Sequence, residues 1–174
     1  MSDPSRHARS RGAIESILRR IPGFKGYLDK EYRRESDHLT RTWMADRLQA
    51  GKRGLDEYMR NLVDQGSLDA LTICERLRTR LDGTISRIRG AVRGYSGLFD
   101  YVQVDDQLLE EVYDLDLALV DQVDDLADAL DKLPGSSEPP TTAIPPLLER
   151  VDKIDEKFSH RSDLLKGLGP EQPM

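Results

Sequence analysis

The sequence lacks most of the residues and runs from which disulfides, membrane spans and export signals are built. It has one cysteine, Cys74, in 174 residues. One cysteine excludes an intrachain disulfide, and its place among leucines in a helical pattern predicts a small buried side chain. No apolar run approaches the roughly 20 residues of a membrane-spanning helix, and the first residues have no apolar core of a secretory signal. We therefore expect a cytoplasmic protein.

Motifs of known chemistry are missing as well. The sequence has no Gly-rich phosphate loop, no Ser/His/Asp pattern, no Cys/His metal spacing and no dinucleotide fingerprint. Glu35 and His38 have the Glu-x-x-His spacing of di-metal helical bundles, but such sites need several further carboxylates and usually a second pair. A polar pair on a helix is the simpler interpretation. We predict no enzyme activity, no cofactor, no bound metal and no small-molecule substrate.

The charge is distributed unevenly along the chain. Residues 1–97 carry 20 Lys and Arg against 13 Asp and Glu, whereas residues 98–174 carry 6 against 19. The acidic excess is concentrated between Leu98 and Leu133, where the single basic residue is Lys132. Two explanations remain open. The acidic segment lies against the basic part of its own chain, or each half serves a separate external partner.

Apolar residues spaced alternately three and four apart predict long amphipathic helices. The clearest case is 105–133, with Leu108, Val112, Leu115, Leu119, Val123, Leu126, Leu130 and Leu133. The same spacing predicts further helices over 12–20, 24–65, 68–93 and 147–166. Gly51 and Gly54 weaken the long helix 24–65 and indicate a bend or a close helix contact. Trp43 shares a face with Leu39 and Leu48, and we expect it to be buried.

These elements predict an all-α fold, an elongated antiparallel bundle of three to four main helices with coiled-coil-like packing and a linked C-terminal helix. The domain boundaries follow as a disordered tail 1–11, a helical bundle 12–133, a Pro-rich linker 134–146, an amphipathic helix 147–166 and a disordered tail 167–174. The prolines of the linker exclude a helix there in this interpretation. The last helix is too apolar to remain in water, and we expect it to dock on its own bundle beside the long helix 24–65.

The predicted helix 68–93 carries a dense basic cluster of Arg76, Arg78, Arg80, Arg87, Arg89 and Arg93. Pairing with the acidic helix that follows is the favoured interpretation, because a placement without counter-charges would be costly. Contact with nucleic-acid phosphates is the alternative, although no recognition motif accompanies the cluster and the pI is about 5.1. Contact with anionic lipid stays open.

Two segments carry a resemblance to a known group of proteins. Residues 21–41 contain an I-P-G-aromatic-x-G-Tyr start and a K-E-x-R-R-E-x-D run, and residues 94–100 form a G-Tyr-x-G-Leu-Phe-Asp turn before the acidic helix. In these features the chain resembles a group of prokaryotic helical proteins, over most of 12–133 and around Phe158 in the last helix. The group has no assigned activity. Its members often occur near flotillin-like membrane-scaffold proteins, so the resemblance implies a scaffold or adaptor role.

The sequence thus predicts a non-enzymatic helical interaction or assembly protein, an adaptor at a membrane-associated scaffold. Its partner is a protein or a second copy of the chain, and peripheral membrane association is compatible with it. The less favoured alternatives are a nucleic-acid-binding protein that uses helix 68–93 and a metal-dependent bundle enzyme. The candidate interaction residues are Arg76, Arg80, Arg87, Arg89, Arg93, Tyr95, Phe99 and Phe158.

Overall fold

The computed structural model describes residues 4–27, 29–91 and 106–167, and five α-helices make up most of them. They are α1 (Pro4–Arg20), α2 (Lys30–Asp64), α3 (Leu71–Gly90), α4 (Asp106–Lys132) and α5 (Pro140–Gly167). Short 3₁₀ turns lie before α3, at Leu68–Ala70, and after α4, at Leu133–Gly135. The prediction of an all-α bundle is confirmed.

Helices α2 to α5 form a four-helix ring. Helix α2 packs beside α3 and α4, and α5 packs beside the same two helices from the opposite side. Consecutive helices of the ring are antiparallel, as predicted. Helices α2 and α4 run in the same direction, as two contacts show: Gly51 lies beside Ala127 and Gly54 lies beside Leu130. Helices α3 and α4 follow each other in sequence and are diagonally opposite in the bundle.

The contact between α2 and α4 is close because both glycines lie in it. A Cβ atom at Gly54 would lie 2.1 Å from the carbonyl oxygen of Leu130, and one at Gly51 would lie 2.9 Å from the Cα of Ala127. Any side chain there would force the two backbones apart. The expectation of a close helix contact at Gly51 and Gly54 is confirmed, and α2 continues through both without interruption.

The core consists of the apolar stripes of all five helices. The α4 stripe is buried as predicted from Val112 onward, at Val112, Leu119, Val123, Leu126, Leu130 and Leu133, apart from Leu115, which is half-buried like Leu108. Trp43 is only partly buried against the core. Its neighbour Met44 points inward instead, and successive side chains on a helix are about 100° apart.

Three boundary predictions are wrong, and two of them concern helices that begin with proline. Helix α5 begins at Pro140 and includes Pro145 and Pro146, so the linker prediction fails from 140 onward. Helix α1 begins at Pro4, so the disordered tail 1–11 is wrong from that residue. Proline at the first helical position loses no hydrogen bond, because the first turn's N–H groups have no partner within the helix. The linker had been predicted from its prolines, and the disordered tail from its polar, Arg-rich composition.

The third boundary concerns the start of the long helix. It begins at Lys30 rather than residue 24, because Gly23 and Gly26 both have φ of 85°, a left-handed conformation outside any α-helix. Phe24 and Tyr27 are nevertheless buried, at 2% exposure each. The segment before α2 therefore belongs to the core without being helical.

Helix α5 docks on its own bundle, as predicted, but the predicted neighbour is wrong. It packs between α3 and α4, diagonally opposite the long helix α2. Its buried side chains are Ile144, Leu147, Val151, Ile154, Phe158 and Leu165. Because α2 is already covered by α3 and α4, the remaining groove of the bundle is the one that α5 fills.

Candidate functional site

The predicted interaction residues do not form one surface. Arg93, Tyr95 and Phe99 lie outside the described residues. Phe158 is 1% exposed and belongs to the core. Its prediction as an interaction residue is therefore wrong for any external partner. Arg76 is exposed on the outside of α3.

The remaining arginines of α3 are paired within the bundle. Arg80 pairs with Asp152 of α5, and Arg87 lies 2.8 Å from Asp155 of the same helix. Two others turn the opposite way, toward α2. Arg89 lies 2.9 Å from Asp46, and Arg78 lies 3.6 Å from Asp56.

Internal pairing of these arginines was expected, but the expected partner, the acidic helix α4, is wrong. Helices α3 and α4 are diagonal, so their side chains cannot meet across the core. The acidic helix α4 instead pairs with arginines of α2 and α1. Arg47 of α2 lies 2.7 Å from Asp124 and also pairs with Asp128, and Arg20 of α1 pairs with Asp121.

The Glu35 and His38 pair and Cys74 are the two other candidates for chemistry, and neither lies in a reactive or metal-binding arrangement within the described residues. Glu35 and His38 are exposed, and Lys25 lies 3.5 Å from Glu35. In the part of the chain that the structure describes, no group of three His, Cys, Asp or Glu side chains is arranged to hold a metal. Cys74 is buried, and burial raises the pKa of its thiol.

A buried charge network, which sequence reasoning missed, lies at the end of the bundle where α2 and α4 begin. Arg161 of α5 is 0% exposed, as is Asp116 of α4. Arg161 Nε donates a hydrogen bond to Asp116 Oδ1, and its Nη2 lies 2.7 Å from Asp37 Oδ1 and 3.2 Å from Tyr27 Oη. Tyr27 in turn donates to Asp116 Oδ2. Three elements are thus joined to α5 through one guanidinium group.

The network extends to α3 through a second arginine. Arg41 Nε lies 2.8 Å from Asp37 Oδ2, and its Nη1 donates a 3.4 Å hydrogen bond to the carbonyl oxygen of Ile88. The backbone N–H of Tyr27 donates to the hydroxyl of Tyr113 at 2.5 Å. All four helices of the ring therefore meet in one polar cluster.

The cluster contains two buried aspartates, Asp37 and Asp116, and three buried arginines, Arg33, Arg41 and Arg161. Arg33 Nε donates a 2.6 Å hydrogen bond to the carbonyl oxygen of Tyr27. Burial alone would lower the pKa of Arg161, but Asp116 and Asp37 outweigh it and raise that pKa well above its ordinary value. Burial and then Asp116 raise the pKa of Tyr27, so its phenol stays protonated and donates. Asp37 Oδ1 touches Arg161 without hydrogen-bond alignment, and Arg161 Nη1 has no hydrogen-bond partner among the described residues. The arrangement holds helices in register.

A signal for this network was present in the sequence. Asp116 lies four residues after Val112 and three before Leu119, on the buried stripe of α4. Arg161 holds the equivalent place on α5, three residues after Phe158 and four before Leu165. A charge on an apolar stripe requires a buried partner of opposite sign.

A surface groove runs between α4 and α5. Its two adjoining parts, of about 550 Å³ and 430 Å³, share Gln122 and Lys153. Gln122 Oε1 is buried there and has no hydrogen-bond partner among the described residues. The wider part is lined by Lys132 and Arg150 as well, with the small side chain of Ala129 on its floor.

The lining of the groove is mixed in charge, because Asp125 lies with Lys132 and Arg150 in the wider part and Glu156 lies in the other part. Lys153 is held 2.7 Å from Glu149, which lowers the pKa of that carboxyl, and Asp128 is held by Arg47. Lys132 and Arg150 are exposed and form no ion pair within the described ranges.

Comparison with known protein families, with curated proteins and with solved structures finds no match. Among the helices that the structure describes, none combines the length and the apolar character needed to cross a membrane.

Proposed function

We propose that the protein is a non-enzymatic helical interaction and assembly protein, acting in the cytoplasm as an adaptor at a membrane-associated scaffold. The observation that supports this function is the α4–α5 groove with its two uncommitted cations, Lys132 and Arg150. Other strongly charged side chains of the bundle, such as Arg47 and Arg87, are engaged in internal pairs. The groove thus offers a partner both volume and unpaired cations.

The groove suits a helical segment with acidic side chains. It extends from Leu115 to Lys132 on α4, which corresponds to about 25 Å of helix. A partner helix of similar length would place apolar side chains against Ala129 and Leu115. Its carboxylates would meet Lys132 and Arg150, and a donor group would meet the buried Gln122 Oε1.

The nucleic-acid alternative receives less support. Arg80, Arg87 and Arg89, which would contact phosphates in that case, already have carboxylate partners in the bundle. Binding a polyanion would require these pairs to break.

Site-specific photocross-linking in the host tests the proposal. A photoreactive residue at Ala129 should cross-link to one partner protein, whereas one at Thr79, exposed on α3, should not. The purified partner should then bind the double variant Lys132→Glu, Arg150→Glu about tenfold more weakly, because two favourable charges become repulsive.

The matched control is Arg53→Glu, Arg60→Glu, which changes the net charge equally on the exposed side of α2. Equal weakening by both double variants, or no cross-link specific to Ala129, would contradict the proposal. A cross-link between two copies of the chain would identify the partner as the protein itself.

A further inference from the structure

Helix α1 differs in charge from the rest of the molecule. Its 17 residues contain five arginines and one acidic residue, Glu15, although the whole chain has a net charge of −6. The helix packs mainly on α4, with Ala13, Ile17 and Ile21 buried. Among the arginines whose side chains the structure describes, Arg20 pairs with the acidic helix through Asp121. Arg11 and Arg19 form no ion pair within the described ranges.

The outer face of α1 also carries an apolar side chain. Leu18 is 46% exposed, one of three large hydrophobic side chains left open among the described residues. Arg11 lies seven residues earlier, on the same side of the helix, and Arg19 is adjacent. Glu15 lies on this face between them, and all three charged side chains are exposed. The outer face thus combines one leucine with two arginines and one glutamate, a net charge of +1. A combination of apolar and basic side chains suits a bilayer interface.

We propose that this outer face of α1, defined by Arg11, Leu18 and Arg19, docks on an anionic lipid surface. The inference rests on the proposed function only in that an adaptor needs a second surface. Arginines attract acidic headgroups, each contributing roughly fivefold in affinity, while Leu18 enters the headgroup boundary. Nucleic acid fits less well, because it would leave Leu18 in water and α1 has no aromatic side chain to stack on bases.

The lipid face and the α4–α5 groove are compatible with simultaneous binding. Asp121, which holds Arg20 of α1, and Gln122, which lines the groove, are consecutive residues. They therefore point about 100° apart around α4. A partner in the groove and a membrane at α1 would not compete for the same side chains.

Co-sedimentation of the full chain with vesicles tests the proposal. The protein should bind vesicles of phosphatidylcholine mixed with phosphatidylserine, should bind phosphatidylcholine alone much more weakly, and should dissociate as salt is added. The variant Arg11→Glu, Arg19→Glu should lose at least about tenfold in affinity. Leu18→Ser should bind several-fold more weakly, because the apolar insertion is lost.

Each variant has a matched control on an exposed position elsewhere. Arg53→Glu, Arg60→Glu makes the same charge change on α2, and Leu68→Ser removes an apolar side chain that is 60% exposed in the turn before α3. Both should bind vesicles like the original protein, and so should the groove variant Lys132→Glu, Arg150→Glu.

Three results would overturn the inference. They are no preference for phosphatidylserine, an equal loss in the control variants, and binding to duplex DNA without binding to vesicles. None of these would affect partner binding at the groove, so failure of the lipid face and failure of the proposed function are distinguishable. A tryptophan introduced by Leu18→Trp should shift its emission to the blue when phosphatidylserine vesicles are added, which locates the contact directly.

Discussion

Buried charge has its largest effects at the residue scale, and Arg161 is the clearest case. Replacing it by methionine leaves Asp116 buried without a counter-charge and leaves Asp37 with Arg41 alone. We expect Arg161→Met to lower the free energy of unfolding by about 3–5 kcal/mol. Arg80→Ala, which breaks an ion pair about half exposed to solvent, should lower it by less than about 1 kcal/mol. Urea denaturation measures both, and similar losses would mean that Arg161 is not structurally buried.

The same network predicts a pH dependence. Burial and Asp116 raise the pKa of Tyr27 above its ordinary value of 10.0. Above that pH the unfolded chain loses the phenol proton while the folded protein keeps it, so stability is full below pH 10 and falls as pH rises further. Tyr27→Phe removes this contribution. Above pH 10 the free energy of unfolding of the variant should therefore fall less steeply than that of the original protein, by up to about 1.4 kcal/mol per pH unit. Parallel curves for the two proteins above pH 10 would refute the assignment.

At the scale of elements, the close contact between α2 and α4 is the most sensitive feature. Alanine is the better helix former, by about 1 kcal/mol over glycine. Gly54→Ala should nevertheless destabilise by about 1–3 kcal/mol, because its Cβ would collide with the Leu130 carbonyl oxygen.

Gly83 on α3 provides the control, since a Cβ there meets nothing within 4 Å. Gly83→Ala should raise the free energy of unfolding by about 0.5–1 kcal/mol. Thermal unfolding followed by circular dichroism measures both changes. A stabilising Gly54→Ala would mean that α2 and α4 are farther apart than described.

For the whole molecule, the testable property is the direction of α4 relative to α2. Gly54 lies beside Leu130, so the ends of the two helices share one end of the bundle. Spin labels at Asp64 and Lys132 should be about 30 Å closer than labels at Asp64 and Gln107. All three side chains are exposed, and Cys74 is buried and stays unlabelled. The reverse order of distances in double electron–electron resonance would show that α2 and α4 are antiparallel.

The sequence by itself determined the helices and their buried faces. Three-four spacing placed α4 to within two residues at each end and identified most of its core side chains, because burial of an apolar stripe depends on local periodicity. It also contained the charges at Asp116 and Arg161, although a charge on a stripe does not reveal which helix supplies its partner.

Only the tertiary structure decided which helices are neighbours. The arginines of α3 could have met any acidic helix, since Coulomb attraction has no directional preference and every apolar stripe attracts every other. The choice was made by shape. Gly51 and Gly54 let α2 and α4 approach backbone to backbone, so α3 lies diagonally opposite α4. Arg80 and Arg87 of α3 therefore form their ion pairs with α5. Such contacts depend on side-chain volumes from distant segments, which no single stretch of sequence encodes.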